Sequence, residues 1–399
     1  SLCLCRPAFL AKRKLIKFSA GMKMQNKLLK LNDLKNKKDL IAGFCLIGIL
    51  FVVLAVLEAV LPRTSILFTV LKKGAIYSLV AVSMNLLNGF TGLFSLGQAG
   101  FMLLGAYTYG IFTIPVAARA QVYQYFDGGL IQFTLPVFVA LILAGIVAAL
   151  FAFLIGLPVL HLKSDYLAIA TLGFAEIVRA LFQWDKIGAV TNGSNLLRKY
   201  PVFQSCMFYF FVSGICIAII MLLINSTYGR AFKAVRDDEI AAEAMGINLA
   251  QTKQLSFVVS SFFAGISGAL LAMFQTTIQA SQFKSALTYE ILLIVVIGGM
   301  GSITGSCISS FLFIACSEWW LRFLDRTVTI GSFTVPLLRP GFRKVVFSIA
   351  IMAIVLFYQK GIMGENEFSI SGILKFLKNL KSKFFNKKID GQKETAEAK

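Results

Sequence analysis

Charged residues are scarce in this 399-residue chain. Asp, Glu, Lys and Arg together make up 15% of it, whereas hydrophobic residues make up 57%. Soluble globular domains are about one quarter charged, so the composition excludes an ordinary soluble protein. Apolar runs long enough to cross a bilayer recur along the chain instead. The ten predicted spans are 40–61, 66–88, 92–115, 133–157, 165–184, 204–224, 254–279, 286–300, 302–324 and 343–359.

Side chains for metal binding or covalent chemistry are equally sparse. His161 is the only histidine in the sequence, and the seven cysteines form no CxxC pair. No glycine is followed directly by lysine, so the GxxxxGK[ST] motif is missing and P-loop ATP hydrolysis by this chain is excluded. We therefore predict no catalytic residue, no metal ligand and no cofactor bound by this chain.

The predicted fold class is an all-α, polytopic transmembrane helical bundle of about eight to ten spans. Backbone polar groups cannot stay unpaired in lipid, so the apolar runs must form helices rather than open strands. Lys72 and Lys73 fall inside the span 66–88, where snorkelling requires that they lie close to an interface. Glu176 and Arg179 stand three residues apart and are predicted to pair on one helix.

The first 39 residues and the tail 361–399 are rich in lysine. Basic flanks of membrane spans stay in the cytoplasm, so both termini are predicted to be cytoplasmic, on either side of a membrane domain over 40–360. The same lysines favour contact with anionic lipid, and we expect no nucleic-acid partner, because no recognition motif accompanies them. The first methionine is Met22, which leaves open whether residues 1–21 are native. No signal-peptide cleavage site is expected.

Two stretches carry glycine and polar residues where a lipid-facing helix would carry Leu, Val or Phe. They are NGFTGLFSLGQAGFMLLGAY, residues 88–107, and GGMGSITGS, residues 298–306. Small residues let helices approach closely, so both stretches fit plain helix packing and also broken helices around a shared path. Glu290, a carboxylate within an apolar run, is a further functional candidate. The candidates for the pathway or for helix packing are Asn85, Asn88, Gly92, Gly97, Gln98, Gly100, Glu290, Gly298, Gly299, Gly301 and Gly305.

The largest charged loop between predicted spans is 225–253, which the topology places in the cytoplasm. Asp237 or Asp238 is predicted to cap a short helix, and Gly246 to end it in a left-handed turn. A short helix held between two spans can transmit force from a docked partner, although an ordinary connector has the same pattern. The candidate coupling residues are Arg236, Asp237, Asp238, Glu239, Ala241, Ala242 and Gly246.

This loop resembles the cytoplasmic motif of ABC importer permeases, in which EAA is followed three residues later by Gly. Here Ala241, Ala242 and Gly246 have that spacing, whereas Ile240 stands in the place of the Glu. The stretches NLLNGFTGLFSLGQAGFMLLGAYTYG, SDYLAIATLGFAEIVR, YGRAFKAVRDDEIAAEAMGIN and VVIGGMGSITGS together resemble the M-type permease of high-affinity branched-chain amino-acid importers. They follow the family's order and cover about residues 74–306, and GIMG at 361–364 is similar to the family's end.

The resemblance implies a transport subunit of the bacterial inner membrane. It implies three kinds of partner: a second homologous permease, two ATPases that bind the ATP, and an extracytoplasmic substrate-binding protein. The external turn TNGSN, residues 191–195, is a candidate contact for the binding protein, although an ordinary polar loop has the same composition.

Three alternatives stay open at this stage. A permease for urea or short amides would look much alike. An ion- or proton-coupled secondary transporter would need a cluster of intramembrane acids or histidines, and an autonomous channel would need no coupling loop.

Overall fold

The computed structural model describes residues 48–60, 65–126, 128–162, 164–320, 329–330, 333–334, 345–346, 348–349, 352 and 361–364. The predictions for 1–39 and for the tail beyond 364 lie outside these residues. The described residues from 58 to 364 belong to one compact unit.

Helices dominate the described chain, as predicted. They are α1 Gly48–Val60, α2 Ile66–Asn85 with a π-helical extension Leu86–Phe90, α3 Gln98–Thr113, α4 Val116–Val122, α5 Val137–Val159, α6 Ser164–Gln183, α7 Gly188–Thr191, α8 Cys206–Asn225, α9 Thr227–Asp237, α10 Glu239–Ala244, α11 Leu249–Gln275, α12 Ser285–Gly298 and α13 Ile303–Glu318. Single 3₁₀ turns form at Asp185–Ile187 and Ala280–Gln282, and β1 (Thr329–Ile330) pairs antiparallel with β2 (Phe333–Thr334).

Six helices in the described residues are long and apolar enough to cross a membrane by themselves. A seventh span requires α3 and α4 to count as one element, although the chain bends by 120° between them. Two further predicted spans are present as the shorter apolar helices Gly48–Val60 and Ile303–Glu318, and most of 343–359 is outside the described residues. Ten full-length spans was therefore too simple a prediction, because hydropathy does not register where a helix breaks.

Helix α11 lies at the centre of the bundle, where it packs against α3, α5 and α2. Glycine makes its contact with α3 possible. A Cβ atom on Gly268 would lie 2.0 Å from the carbonyl oxygen of Met102, and one on Gly105 would lie 2.0 Å from that of Gly265. Such distances are far below van der Waals contact, so the two backbones meet directly, as small residues allow in membrane helices. We call this contact the α3–α11 seam.

The loops gather at two ends of the bundle. The α9 end comprises 86–97, 160–162, 225–248 and 298–302, and the α4 end comprises 114–135, 184–205 and 276–284. At the α4 end, the buried Arg119 donates hydrogen bonds to four backbone carbonyls. Two of them, Ile111 and Ile114, belong to the last turn of α3 and its cap, and the others, Ile131 and Phe133, belong to the following loop. A guanidinium at a helix C-terminus satisfies carbonyls that have no intrahelical donor.

Candidate coupling and translocation site

The chain is not helical between Thr91 and Gly97, although five of these seven residues are buried. Helix α2 passes into its π-helical extension and α3 begins only at Gln98. Two backbone N–H groups in and after this segment donate to threonine hydroxyls of other helices. Leu96 N donates to Thr171 Oγ1 at 3.0 Å, and Ala99 N donates to Thr288 Oγ1 at 3.1 Å. This irregular connection joins the predicted spans 66–88 and 92–115 at the α9 end of the bundle, and it delays the start of the second span to Gln98. We call residues 91–97 the broken segment.

Gln98 stands at the start of α3 and is 1% exposed. Its Nε2 donates to Ser260 Oγ at 2.9 Å, and that hydroxyl donates to the carbonyl of Ser83 at 2.6 Å. Among the described residues, its Oε1 has no hydrogen-bond partner. An unpaired buried acceptor costs about 1–3 kcal/mol, so this atom is costly for the folded chain unless water or a ligand meets it.

Asn85 connects the two Gly-rich stretches. Its Nδ2 donates to the carbonyl of Ser302 and to Ser306 Oγ, both at 2.8 Å, and its Oδ1 accepts from Gly301 N at 2.9 Å. The side chain is fully buried. One amide thus holds the α12–α13 turn against the end of α2. We call this junction, formed by 85–92 and 298–306, the glycine hub.

Arg236 brings α9 onto the glycine hub. Its Nη1 donates to the carbonyl of Gly89 at 3.1 Å. Gly92 and Gly301, which both have positive φ, leave the space in which its side chain lies: a Cβ on Gly92 would be 3.0 Å from Arg236 Cγ, and one on Gly301 would be 3.2 Å from Nη1. A residue of the charged loop is therefore in direct contact with both Gly-rich stretches.

The other glycines of the α12–α13 turn allow neighbouring backbone segments to come into direct contact. A Cβ on Gly305 would lie 2.2 Å from the carbonyl oxygen of Gly298. The segment 361–364 packs on the hub through two backbone hydrogen bonds. Ile362 N donates to Ile297 O at 2.8 Å, and Met363 N donates to Gly298 O at 3.3 Å. Gly299 faces this segment, with the Gly364 carbonyl 2.5 Å from the position of its Cβ.

Helix α10 has the predicted caps. Asp238 Oδ1 accepts hydrogen bonds from Ile240 N at 2.9 Å and Ala241 N at 3.1 Å, and Gly246 ends the helix with φ +86°. Ala242 packs inward, whereas Ile240 and Met245 are 82% and 83% exposed. Lys253 Nζ pairs with Glu239 at 2.6 Å and fixes α10 against the start of α11. The helix thus presents two large apolar side chains outward on an otherwise charged loop.

The predicted residues therefore fall into three places. The first place is the hub, which contains or contacts Asn85, Gly92, Gly298, Gly299, Gly301, Gly305 and Arg236. The second is the start of α3, with Gly97, Gln98 and Gly100. The third is α10 and its flanks, with Asp237, Asp238, Glu239, Ala241, Ala242 and Gly246. Asn88 bonds within its own stretch, since its Oδ1 accepts from Ser95 N at 3.2 Å. Glu290 joins none of these places and is exposed on α12.

Several side-chain partners were missed. Lys73 Nζ pairs with Glu318 at 2.6 Å, and Lys72 donates to the carbonyl of Gln204. The serine and threonine partners of the broken segment were also missed, since Ser260, Thr171 and Thr288 are ordinary residues in apolar runs. The predicted pair of Glu176 with Arg179 is confirmed at 2.6 Å. In the described chain, no group of three or more His, Cys, Asp or Glu is placed to hold a metal ion.

Comparison with known proteins identifies the family. A family model described as branched-chain amino acid transport system / permease component matches residues 66–356. The high-affinity branched-chain amino acid transport system permease protein LivM of Salmonella typhimurium is 31% identical over 277 residues, and that of Escherichia coli is 30% identical over the same length. Each match covers 61% of this chain and 61% of the relative, so the chain spans about three fifths of the relatives' length.

A more distant relative is the probable branched-chain amino acid transport permease protein LivH of Methanocaldococcus jannaschii. It is 26% identical over 155 residues, which is 39% of this chain and 46% of the relative. No solved structure matches. The match over 66–356 includes the glycine hub, the broken segment and the charged loop, and it covers more than half of the chain. The chain therefore belongs to the family of permease components of branched-chain amino acid transport systems.

Proposed function

We propose that this chain is the membrane-spanning permease subunit of an ATP-driven ABC importer that carries branched-chain amino acids across the bacterial inner membrane. The observation that carries the proposal is the contact of Arg236 with the glycine hub. Through this contact, a movement of α9 and α10 would displace both segments of the hub, 85–92 and 298–306. The α9 end is then cytoplasmic, as are both termini.

The α10 surface is the proposed dock of the ATPase subunits. Ile240 and Met245 stand outward beside the charged side chains of Asp237 and Glu243. Exposed apolar side chains with a polar rim are typical of a protein-binding patch. Two ATPases, one for each permease of a pair, would bind the ATP, and this chain supplies neither nucleotide site nor cofactor. Closure of the ATPases would press on α10 and move Arg236 against the hub.

The α4 end is the proposed dock of the substrate-binding protein. A polar cleft of about 490 Å³ opens there between the α4 region and the predicted TNGSN turn. Its lining includes Gln121, Asn192, Ser194, Arg198, Lys199 and Gln279. The two cations and the amides suit an acidic, polar partner surface. The binding protein would determine the choice between leucine and a short amide such as urea.

The first test separates the coupled importer from a channel or a secondary carrier. The complex is purified from its membrane and reconstituted, with leucine and urea uptake measured with and without ATP. Ile240→Asp together with Met245→Asp should release the ATPases and reduce ATP-driven uptake by at least tenfold. Arg230→Ala, an exposed position on α9 outside this patch, is the control and should leave uptake unchanged. Uptake by this chain alone, without ATP, would overturn the proposal.

The second test concerns the path through the bundle. Gln98→Leu removes the unpartnered Oε1 but also the hydrogen bond from Nε2 to Ser260 Oγ, so the two effects oppose each other and the stability of the folded chain should change little. Uptake should fall if this atom meets water or substrate on the path. Ser261→Ala is the control, because its hydroxyl bonds only to the carbonyl of Phe257 in its own helix. Unchanged uptake by Gln98→Leu would remove Gln98 from the proposed path.

A further inference from the structure

A cleft of about 640 Å³ lies between the end of α5 and the start of α11, at the α9 end of the bundle. Most of its lining is apolar and includes Phe153, Leu157, Leu160, Leu249, Leu255 and Val258. None of these residues belongs to the glycine hub, to α10 or to the polar cleft at the α4 end. We call this cavity the α5–α11 cleft.

The cleft extends from one surface of the membrane towards its middle. Helix α5 has 23 residues and is therefore about 34 Å long, close to the roughly 30 Å of hydrocarbon in a bilayer. Its last residue, Val159, thus lies near a membrane surface. On α11, the lining runs from Leu249 to Val258, which is about 14 Å along the helix axis. The cleft therefore spans about the depth of the acyl chains of one leaflet.

The two helices are joined where the cleft lies. Gln254 Nε2, on α11, donates to the carbonyl of Phe153 on α5 at 2.9 Å. Gly156 leaves the space for this amide, because a Cβ there would lie 2.5 Å from Gln254 Oε1. The cleft is therefore bounded by a specific contact between α5 and α11, and it is more than a gap between loosely packed helices.

The membrane-surface end of the cleft carries hydrogen-bond donors and positive charge. Lys253 and His161 belong to its lining, and in the described chain no Asp or Glu does. Lys253 Nζ donates to Glu239 Oε2 at 2.6 Å, and an ammonium has three donors, so two remain. The lining also includes the first turn of α11, a 27-residue helix whose N-terminus adds a positive potential. This end of the cleft therefore suits a phosphate.

The surface around the cleft faces lipid. Helix α5 contains no charged residue, and its large exposed side chains are all apolar. Leaving so much apolar lining in contact with water would be unfavourable. A phospholipid has the two chemical parts that this cleft requires, an acyl chain for the apolar depth and a phosphate for the membrane-surface end.

We propose that the α5–α11 cleft binds one anionic phospholipid, with an acyl chain between the two helices and the phosphate at Lys253 and the start of α11. The inference goes beyond the proposed function and requires only that the chain lies in a membrane. Basic pockets between membrane helices on the cytoplasmic side are typical of sites for anionic headgroups. Lys253 would be shared between the phosphate and Glu239, so the lipid and α10 compete for one ammonium.

Native mass spectrometry tests this assignment. The full-length chain, with the subunits that purify with it, is extracted in a neutral detergent and mixed with phosphatidylglycerol or, separately, with phosphatidylcholine. We expect one phosphatidylglycerol to be retained at least fivefold better than phosphatidylcholine, because the choline group would bring a second cation to Lys253. Equal retention of the two lipids, or retention of neither, would overturn the proposal.

Two substitutions on α5 test whether the lipid lies in the cleft. Leu157 lines the cleft and is 50% exposed, whereas Leu154 is 56% exposed on the same helix and does not line it. Leu157→Trp should reduce the retained phosphatidylglycerol at least fivefold, because the indole occupies the volume of the acyl chain. Leu154→Trp should change it less than twofold. The melting temperature in detergent reports whether each variant is folded, and equal retention by the two folded variants would overturn the proposal.

Two further substitutions separate the phosphate site from the ion pair. Lys253→Met and Glu239→Gln both break the pair that holds α10 against α11, so an effect transmitted through α10 should appear in both. Lys253→Met should reduce the retained phosphatidylglycerol at least fivefold, because it removes the ammonium. Glu239→Gln should keep or increase it, because the phosphate no longer competes with a carboxylate. A parallel loss in the two variants would assign the effect to α10 and overturn the proposal.

Discussion

The α3–α11 seam and the glycine hub both depend on glycine, but they are held together differently. In the seam, Gly105 and Gly268 let two continuous helices touch along their backbones. In the hub, Gly92 and Gly301 have positive φ in irregular segments, and polar side chains from elsewhere join those segments. A backbone contact of continuous helices resists any change, whereas a few hydrogen bonds between irregular segments can be exchanged for others. We infer that the seam is the static part of the bundle and the hub the moving part.

Breaking the seam should have the largest effect. Gly268→Ala places a Cβ 2.0 Å from a backbone carbonyl that cannot move without shifting α3. We expect a loss of about 3 kcal/mol in the free energy of unfolding or more, at the upper end of overpacking, and little folded protein. The measurement is the folded fraction after heating in detergent.

Gly214→Ala on α8 is the matched control for that substitution. Its Cβ would meet nothing within 4 Å among the described residues. Alanine is the better helix former by about 1 kcal/mol, so this variant should be as stable as the parent or more so. Equal losses from both substitutions would show that the seam carries no special constraint.

The second-largest effect is expected from removing the side-chain amide of Asn85, which joins the two segments of the hub. Asn85→Ala leaves the buried Gly301 N without its acceptor, at about 1–3 kcal/mol, whereas the Ser302 carbonyl keeps its bonds from Ser306. Asn88→Ala is the control, since Asn88 makes longer bonds, of 3.2 and 3.4 Å, within its own stretch. We expect the melting temperature to fall further for Asn85→Ala, and ATP hydrolysis by the complex to continue with reduced uptake. A larger effect from Asn88→Ala would contradict this ranking.

Arg236→Lys should separate coupling from stability. Lysine keeps the charge but loses the guanidinium fork, so one compact ammonium must serve both Asp237 and the carbonyl of Gly89. Uptake should fall several-fold while the melting temperature changes little. Arg230→Lys on the same helix, where the residue is exposed, should change neither quantity. Parallel loss of stability and uptake in Arg236→Lys would assign Arg236 a purely structural role.

The smallest expected effect belongs to Gly246, which ends α10 with φ +86° and has open space around it in the described chain. Alanine in a left-handed conformation costs about 1–2 kcal/mol, whereas asparagine is tolerated better there. Gly246→Ala should lower the melting temperature slightly and Gly246→Asn less. Identical melting temperatures for both variants and the parent would show that this turn is not under strain.

Much of this architecture could be predicted from the sequence. Composition and apolar runs predicted the membrane fold, and Asp238 and Gly246 predicted the two limits of α10, because caps and left-handed turns are local. The Gly-rich stretches 88–107 and 298–306 were recognised as unusual for the same reason, since the residue types alone indicate close approach.

The meeting of those stretches could not be predicted, because it depends on pairs that are distant in the chain. Asn85 and Ser302 are 217 positions apart, and Arg236 and Gly89 are 147 apart. Neither pair has a periodicity or a spacing that a single sequence displays. The same applies to Lys73 and Glu318, which are far apart in the chain and form an ion pair.

The closing segment 361–364 has a consequence for how the protein is made. Its bonds to Ile297 and Gly298 complete the hub, whose first residue, Asn85, is synthesised far earlier. At about 5–20 residues per second, Asn85 waits on the order of 10–40 seconds for the turn that it binds, and the closing segment follows a few seconds later. During that interval the side-chain amide of Asn85 must form hydrogen bonds with water or with the insertion machinery. The glycine hub is therefore among the last parts of the described chain to form, and a chain truncated before residue 361 would enter the membrane without the bonds that complete it.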